Sequence, residues 1–445
     1  MPMTDTDVIE SAMDLMKLRD AASGRLGVIA EYLRDDPNER SLGGLPPGAP
    51  ADVVRLAKLS RVNLLKYVVA ARVQSMYVDG FQTPESADNL AAWDIWQRNR
   101  FDARQIGVHR AALAYGASYV TVLPGTGGIP VMRGASPRTL TAGYSSDDDD
   151  WPAVALIRRP GGWRLIDTTT VYDLATGDTS DQLTVTATAE HGATFDGEPV
   201  CPVVRYRDTD DLDDPVRGIV EPLMPLQDQI NITSFGLQVA QHYGAFRQRY
   251  IIGWLAESEQ KALNMGAAKL MMFEDNPADI KVGEFSQTDL RGYIESREAS
   301  IRHLATISQT PVHELLGEMV NLSAEALEAA RASHHAAVDE NRTMIGESHE
   351  QVLNLAAEMA GGQPDASGSV IWRDTRIRSL SEAAAALGQL VTGLGVPPRA
   401  LWQRVPGVPQ HELQQWEAQA GQGDALADLT ALLDRQAQPA TPATG

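Results

Sequence analysis

The residues of this 445-residue sequence best suited to chemistry are its histidines, a large excess of carboxylates and one glycine-rich turn. His313-Glu314-Leu315-Leu316-Gly317 begins like a zincin helix, in which two histidines four residues apart share a helix face and hold zinc. Position 317 is Gly, so the second ligand is missing. His334 and His335 are adjacent and point in different directions on a helix, while His303, His313 and His349 fall on separate turns. No shared metal site is expected. ATP chemistry would need a GxxxxGK loop ending in Ser or Thr, because backbone amides and the lysine cradle the phosphates together, and no lysine here follows a glycine. Gly125-Thr126-Gly127-Gly128 follows Leu123-Pro124 and precedes more strand-like sequence, so it reads as a turn. No GxSxG elbow sets up a nucleophile, and 59 acidic residues cannot be paired as acid and base by spacing alone. The runs 147–150 and 208–214 read as solvated acidic loops, without the alternating acids, glycine and closing Glu of an EF-hand. Trp93, Trp96, Trp254, Trp372, Trp402 and Trp416 could stack bases, but no Arg or Lys clusters around them, and they read as packing residues. The expectation is a protein with no catalytic residues, no metal and no cofactor.

Composition points the same way. Hydrophobic content of 43% with 22% charged residues is enough to bury a real core. A net charge of -21 is the opposite of what retains DNA, since gripping a duplex means neutralising phosphates with Lys and Arg. Any contact with DNA should be weak or repulsive, suited to passage. The single cysteine, Cys201, cannot form an intrachain disulfide, which fits assembly in a reducing compartment. No leader peptide is expected, and no apolar run is long enough for a membrane span.

The elements that must position these residues are α+β and mainly helical. A loosely helical stretch over 4–33 gives way to Gly and Pro at 43–50. Asp52 is placed to cap a helix whose apolar face carries Val53, Leu56, Leu64, Tyr67, Val68 and Ala71. After Gly80, helical sequence runs through Trp93 and Trp96, then from Phe101 to Tyr115, with Gly116 as C-cap and a strand over 117–123. Short Thr-, Val- and Tyr-rich runs over 131–206 predict antiparallel strands. Two rods follow. The first carries Leu223, Leu226, Ile230 and Leu237 as one stripe; the second, over 290–308, has charged pairs at i, i+4 on its polar side and Ile294 and Ile301 among its apolar residues. Such narrow stripes predict lateral packing with similar helices. Between the rods a strand-like piece over 246–254 opens a compact insert. Pro311 stops the second rod, Ser323 opens an Ala-rich helix reaching Met359, and 370–372 reads as a returning strand. Helical pieces over 381–390 and 409–420 precede a low-complexity tail.

In that order the local sequences resemble the portal proteins of long-tailed bacteriophages over roughly residues 50–420. Ala112-Leu113-Ala114-Tyr115-Gly116 with Ser118-Tyr119-Val120 resembles the family's helix-to-strand passage. Pro225-Leu226-Gln227-Asp228-Gln229-Ile230-Asn231 is similar to the start of its first stem helix. Thr310-Pro311 through Leu316-Gly317, then Asn321-Leu322-Ser323-Ala324-Glu325-Ala326-Leu327, is similar to its tunnel loop and following helix, and Trp372-Arg373-Asp374 with Arg378-Ser379 to the strand beyond.

The resemblance implies an elongated portal fold. Its parts would be an N-terminal arm (1–50), a mixed wing (51–217), a first stem helix (218–244), a clip (245–289) and a second stem helix (290–309). A tunnel loop (310–322), a long wing helix (323–360), a returning strand (361–380), crown-like helices (381–423) and a disordered tail (424–445) would follow. It implies a ring, usually of twelve copies, that channels double-stranded DNA without sequence specificity. Partners would be the terminase large subunit, a head-to-tail adaptor, and the major capsid protein and scaffold, with no membrane, at the portal vertex of the virion. Pro311, His313, Glu314, Glu318 and Asn321 would face DNA; Leu223, Leu226, Ile230, Leu237, Ile294 and Ile301 would pack the stem; and Phe246, Arg247, Arg249 and Trp254 would dock partners on the clip. The alternatives are a DNA-processing nuclease or motor, and another tail or baseplate component.

Overall fold

The computed structural model describes residues 2–35, 48–82, 90–146, 149–177, 182–209, 217–244, 249–252, 281–284, 289–317, 324–365, 367–373 and 380–405, with scattered positions to 420. The helices are α1 (Asp5–Leu33), α2 (Ala51–Leu59), α3 (Leu64–Gln74), α4 (Leu90–Arg98), α5 (Phe101–Tyr115), α6 (Met224–Gly244), α7 (Arg291–Ile307), α8 (Val312–Leu316), α9 (Ala324–Met359) and α10 (Leu380–Leu394). The strands are β1 (Val78–Gln82), β2 (Ala117–Leu123), β3 (Val131–Ala135), β4 (Leu140–Gly143), β5 (Val154–Arg159), β6 (Gly162–Ile166) and β7 (Thr170–Thr176). They continue as β8 (Leu183–Glu190), β9 (Thr194–Phe195), β10 (Glu198–Pro199), β11 (Val203–Arg207), β12 (Arg249–Ile252), β13 (Lys281–Glu284) and β14 (Ser369–Trp372). This is an α+β chain, mostly helical with small antiparallel sheets, and it divides into two compact units.

The first unit comprises 1–27, 69–221 and 335–445. Its largest sheet is the antiparallel meander β4-β5-β6-β7-β8. Leu156 and Leu165 point to one face and join Val8, Ala12 and Leu15, which lie at i, i+4 and i+7 on α1. Their chain neighbours Ala155 and Ile166 point to the other face and pack with Leu140, Cys201 and Val203. Both faces are therefore covered, which is why these strands lack a polar side at their centres. Helix α5 packs on the three-stranded sheet β11-β2-β3. It ends where expected, at Gly116 with φ 90°, and a Cβ there would lie 2.8 Å from the Arg217 carbonyl carbon. Only glycine satisfies both the left-handed turn and the close approach of the chain.

Several expectations need correction. Asp52 lies in the first turn of α2 while Pro50 occupies the N-cap position, and the anticipated continuous helix breaks at 60–63. The cause is Asn63, whose Oδ1 accepts the Lys66 N–H at 3.0 Å and starts a new helix. Tyr67 is consequently exposed, not on the buried face. Helical structure does not follow directly on Gly80: Gly80 sits at a register shift inside β1, which pairs with β14 and runs on to Gln82. Asn99 and Arg100 separate α4 from α5, Arg100 holding φ 52°. Helix α6 starts at Met224, after a single 3₁₀ turn over Glu221–Leu223.

The second unit comprises 28–68 and 222–334. Here α6 packs along α7 and against α2, with Gly236 admitting the Tyr293 ring, 3.0 Å from where a Cβ would stand. Helix α7 stops before Pro311 is reached. Gln309 takes φ 50° and the Thr310 N–H donates back to the Ala305 carbonyl at 3.0 Å, a Schellman-like close.

Candidate assembly surfaces and DNA-facing segment

On the second unit the predicted stripe is real but wider than its apolar members. Leu223, Ile230 and Leu237 are buried, Leu226 is half-buried, and Gln227, Asn231 and Ser234 are buried beside them. The amides belong there because they satisfy the chain break between α2 and α3. Gln227 donates to the Val62 carbonyl at 2.9 Å and accepts from the Leu64 N–H at 2.9 Å, while Asn231 accepts from the Val62 N–H at 3.1 Å. Tyr32 donates to Asp228 at 2.5 Å on the same helix. Leu223, Ile230 and Leu237 are thus covered from within one chain, and Leu226 is left half-buried. Ile301 is likewise buried. Ile294, by contrast, is 44% exposed, and Ile232 of α6, not singled out from sequence, is 57% exposed.

Of the residues anticipated to face DNA, Pro311 is buried at the N-cap of α8, and His313 and Glu314 are half-buried. Residues 312–316 form a helical turn, not a loop, closed by Gly317 at φ 68°. Glu314 Oε1 accepts from Arg331 Nη2 at 2.8 Å, and its Oε2 accepts from the Tyr67 hydroxyl at 3.2 Å. Partial desolvation, then the facing carboxylate, push the Tyr67 phenol above its ordinary range although the residue is exposed, so it stays a donor. Arg331 comes from α9, and it offsets the acidity read from 310–322 alone. Glu318 and Asn321 lie outside the described residues, as do Phe246, Arg247 and Trp254. Arg249 lies in β12, opposite Glu284 of β13.

The first unit holds a buried polar chain that spacing did not suggest. His109 of α5 and His349 of α9 meet Nε2 to Nε2 at 2.7 Å. His109 Nδ1 lies 3.2 Å from the Met76 carbonyl, and His349 Nδ1 lies 2.9 Å from the Tyr206 hydroxyl. A carbonyl can only accept, so His109 carries its proton on Nδ1 and leaves Nε2 bare. His349 must then donate from Nε2, and Tyr206 must donate to His349 Nδ1. Every bond has one proton and neither ring is charged. Burial enforces this, drawing His109 down to about 4 and His349 well below its ordinary range. Trp96, Phe101 and Trp372 meet the His349 ring edge-on. Nearby Asp208, expected in a solvated loop, is buried: it accepts from Asn341 Nδ2 at 2.9 Å, and Asn341 accepts from Arg72 at 2.9 Å. Desolvation lifts the Asp208 carboxyl to about 7 against the pull of Arg72.

None of this is an active-site arrangement. The histidines are sealed and mutually satisfied, and among the described residues no three His, Cys, Asp or Glu could hold a metal. Among the same residues no helix is long and apolar enough to cross a membrane.

The sequence model of the family described as "Phage portal protein, SPP1 Gp6-like" matches residues 38–424. The chain belongs to that family. It is accordingly a structural, non-enzymatic protein of the phage portal vertex. The structure described as "Virion of native gene transfer agent (GTA) particle" is similar at 15% identity and a TM-score of 0.48, covering 82% of this chain and 94% of that one. "Neck of native GTA particle computed with C12 symmetry" is similar at 15% identity and a TM-score of 0.45, covering 80% of this chain and 92% of that one. None of the curated proteins matches the chain.

Proposed function

We propose that copies of this portal-family chain close into a ring, of about twelve by the family's usual number, at one capsid vertex. The ring is the channel through which double-stranded DNA is packaged and ejected. The family match over 38–424 carries this reading. The second unit supports it physically, because α6 and α7 pair within the chain yet keep Ile232 and Ile294 exposed, as helices that meet a neighbour laterally would. A net charge of -21 suits a wall that lets phosphates pass without holding them. The insert between the rods, 245–289, is the docking place for the terminase motor during packaging and for the head-to-tail adaptor afterwards; the capsid protein and scaffold meet the ring during assembly. Negative-stain electron microscopy with mass photometry of the purified protein tests this. Closed rings of about twelve copies with a central hole are expected; a chain that stays monomeric at every concentration and also in the presence of scaffold would overturn it.

A further inference from the structure

Charge in the first unit is segregated along one sheet. No Lys or Arg occurs between Thr139 and Ile157, where the sequence has four consecutive aspartates, 147–150, and Asp149 and Asp150 lead into β5. The base of the hairpin from β4 to β5 is closed by the Ala153 N–H donating to the Gly143 carbonyl at 2.9 Å, Asp149 Oδ2 accepts the Ser146 N–H at 2.8 Å, and Asp150 is exposed. The far end of the same strands is the reverse. Arg133, Arg158, Arg159 and Arg164 line a groove of about 450 Å³ that no acidic side chain lines.

Arg164 is matched from outside the groove by both oxygens of Asp173, each at 2.7 Å. The Arg158 and Arg159 side chains make no hydrogen bond or ion pair with a described residue, although Asp173 attracts Arg159 at longer range, and Arg133 donates to the Met132 carbonyl at 3.0 Å. Three guanidiniums thus remain in excess on a concave surface of a strongly acidic chain, with the planar donor forks that carboxylates match in pairs. The hairpin of the same chain cannot reach them. The six residues of β5 place its two ends roughly 20 Å apart.

We propose that this groove receives the Asp149–Asp150 hairpin of a neighbouring copy, so that the acidic end of one sheet enters the basic end of the next. This rests on the ring reading above: a contact between two different surfaces of one chain can repeat head to tail from copy to copy and so close a ring.

The test uses a full chain carrying Asp150→Cys and Arg159→Cys with a short thiol cross-linker; the native Cys201 is buried and does not compete. Assembled rings should yield a ladder of covalent multimers that neither single variant gives, and rings without a ladder overturn the docking. A charge-swap set covers the case in which the cysteine pair disturbs assembly. Arg158→Glu with Arg159→Glu, or Asp149→Arg with Asp150→Arg, should each raise the protein concentration needed for rings about tenfold or more at low salt. Mixing the two variants, or combining all four changes in one chain, should restore it. Unchanged ring stability in both pair variants sinks the proposal. Failure of the unaltered chain to form rings would instead remove the ring reading itself, and the control separates the two results.

Discussion

The two units handle their polar and apolar groups in opposite ways. In the first, Tyr206, His349 and His109 donate in sequence to one another and finally to the Met76 carbonyl, every member fully buried and neutral. In the second, the buried amides of Gln227 and Asn231 repair a break in the backbone, while Ile232 and Ile294 remain exposed. The polar chain of the first is satisfied within one chain; the paired helices of the second leave Ile232 and Ile294 uncovered. On the proposed ring reading, an assembly surface is marked less by hydrophobic pattern than by the apolar residues that the chain itself leaves uncovered.

The contrast breaks most visibly under paired substitutions. Ile230→Asp buries an unpaired charge and should destabilise the second unit by roughly 4 kcal/mol or more, seen as loss of helical signal on mild heating. Ile294→Asp should leave the melting of the dissociated chain within about 0.5 kcal/mol of the original, yet block ring formation by mass photometry. Equal effects from the two would erase the distinction between internal and external stripe.

Acid should attack the first unit. Its two histidines bind fewer protons folded than unfolded, so their stabilisation is complete above the ordinary imidazole range and is lost as pH falls from 6.5 through about 4, with roughly 3 kcal/mol from His109 at the limit. Asp208 acts with the reverse sign: its raised carboxyl contributes below the ordinary carboxylate range, and that contribution disappears as pH rises through about 7. Thermal melts from pH 8 to 4 in an Asp208→Asn background should therefore fall steadily on the acid side; a flat profile would mean the histidines are not sealed.

Tyr206→Phe isolates one link of the chain. It removes the donor to His349 Nδ1 without changing the packing volume much, and should cost about 1–3 kcal/mol in denaturant titrations. Removing the partly buried pair in the second unit with Arg331→Ala should cost less, about 1 kcal/mol, while rings still assemble.

The sequence made local features legible and missed those assembled over distance. Gly116, the strand over 117–123, the rod over 291–307 and the long helix over 324–359 each announce themselves through a glycine, an alternation or a helical period within a few residues. Nothing near Gly80 signals that β14 will pair with the strand it sits in. His109 and His349 lie 240 residues apart, and a lone histidine on an apolar helix face gives no hint of its partner. Asp208 looked solvated because its acidic neighbours are, and Arg331 is one basic residue on an Ala-rich helix. The stem stripe was found by period, but the period does not say whether a face meets its own chain or another.

Hydrogen–deuterium exchange of the ring against the dissociated chain tests that last point most directly. Amides of α6 and α7 around Ile232 and Ile294 should exchange markedly more slowly in the ring, while those of α9 around His349 are protected equally in both states. Exchange in α6 and α7 that is as fast in the ring as in the single chain would contradict the account.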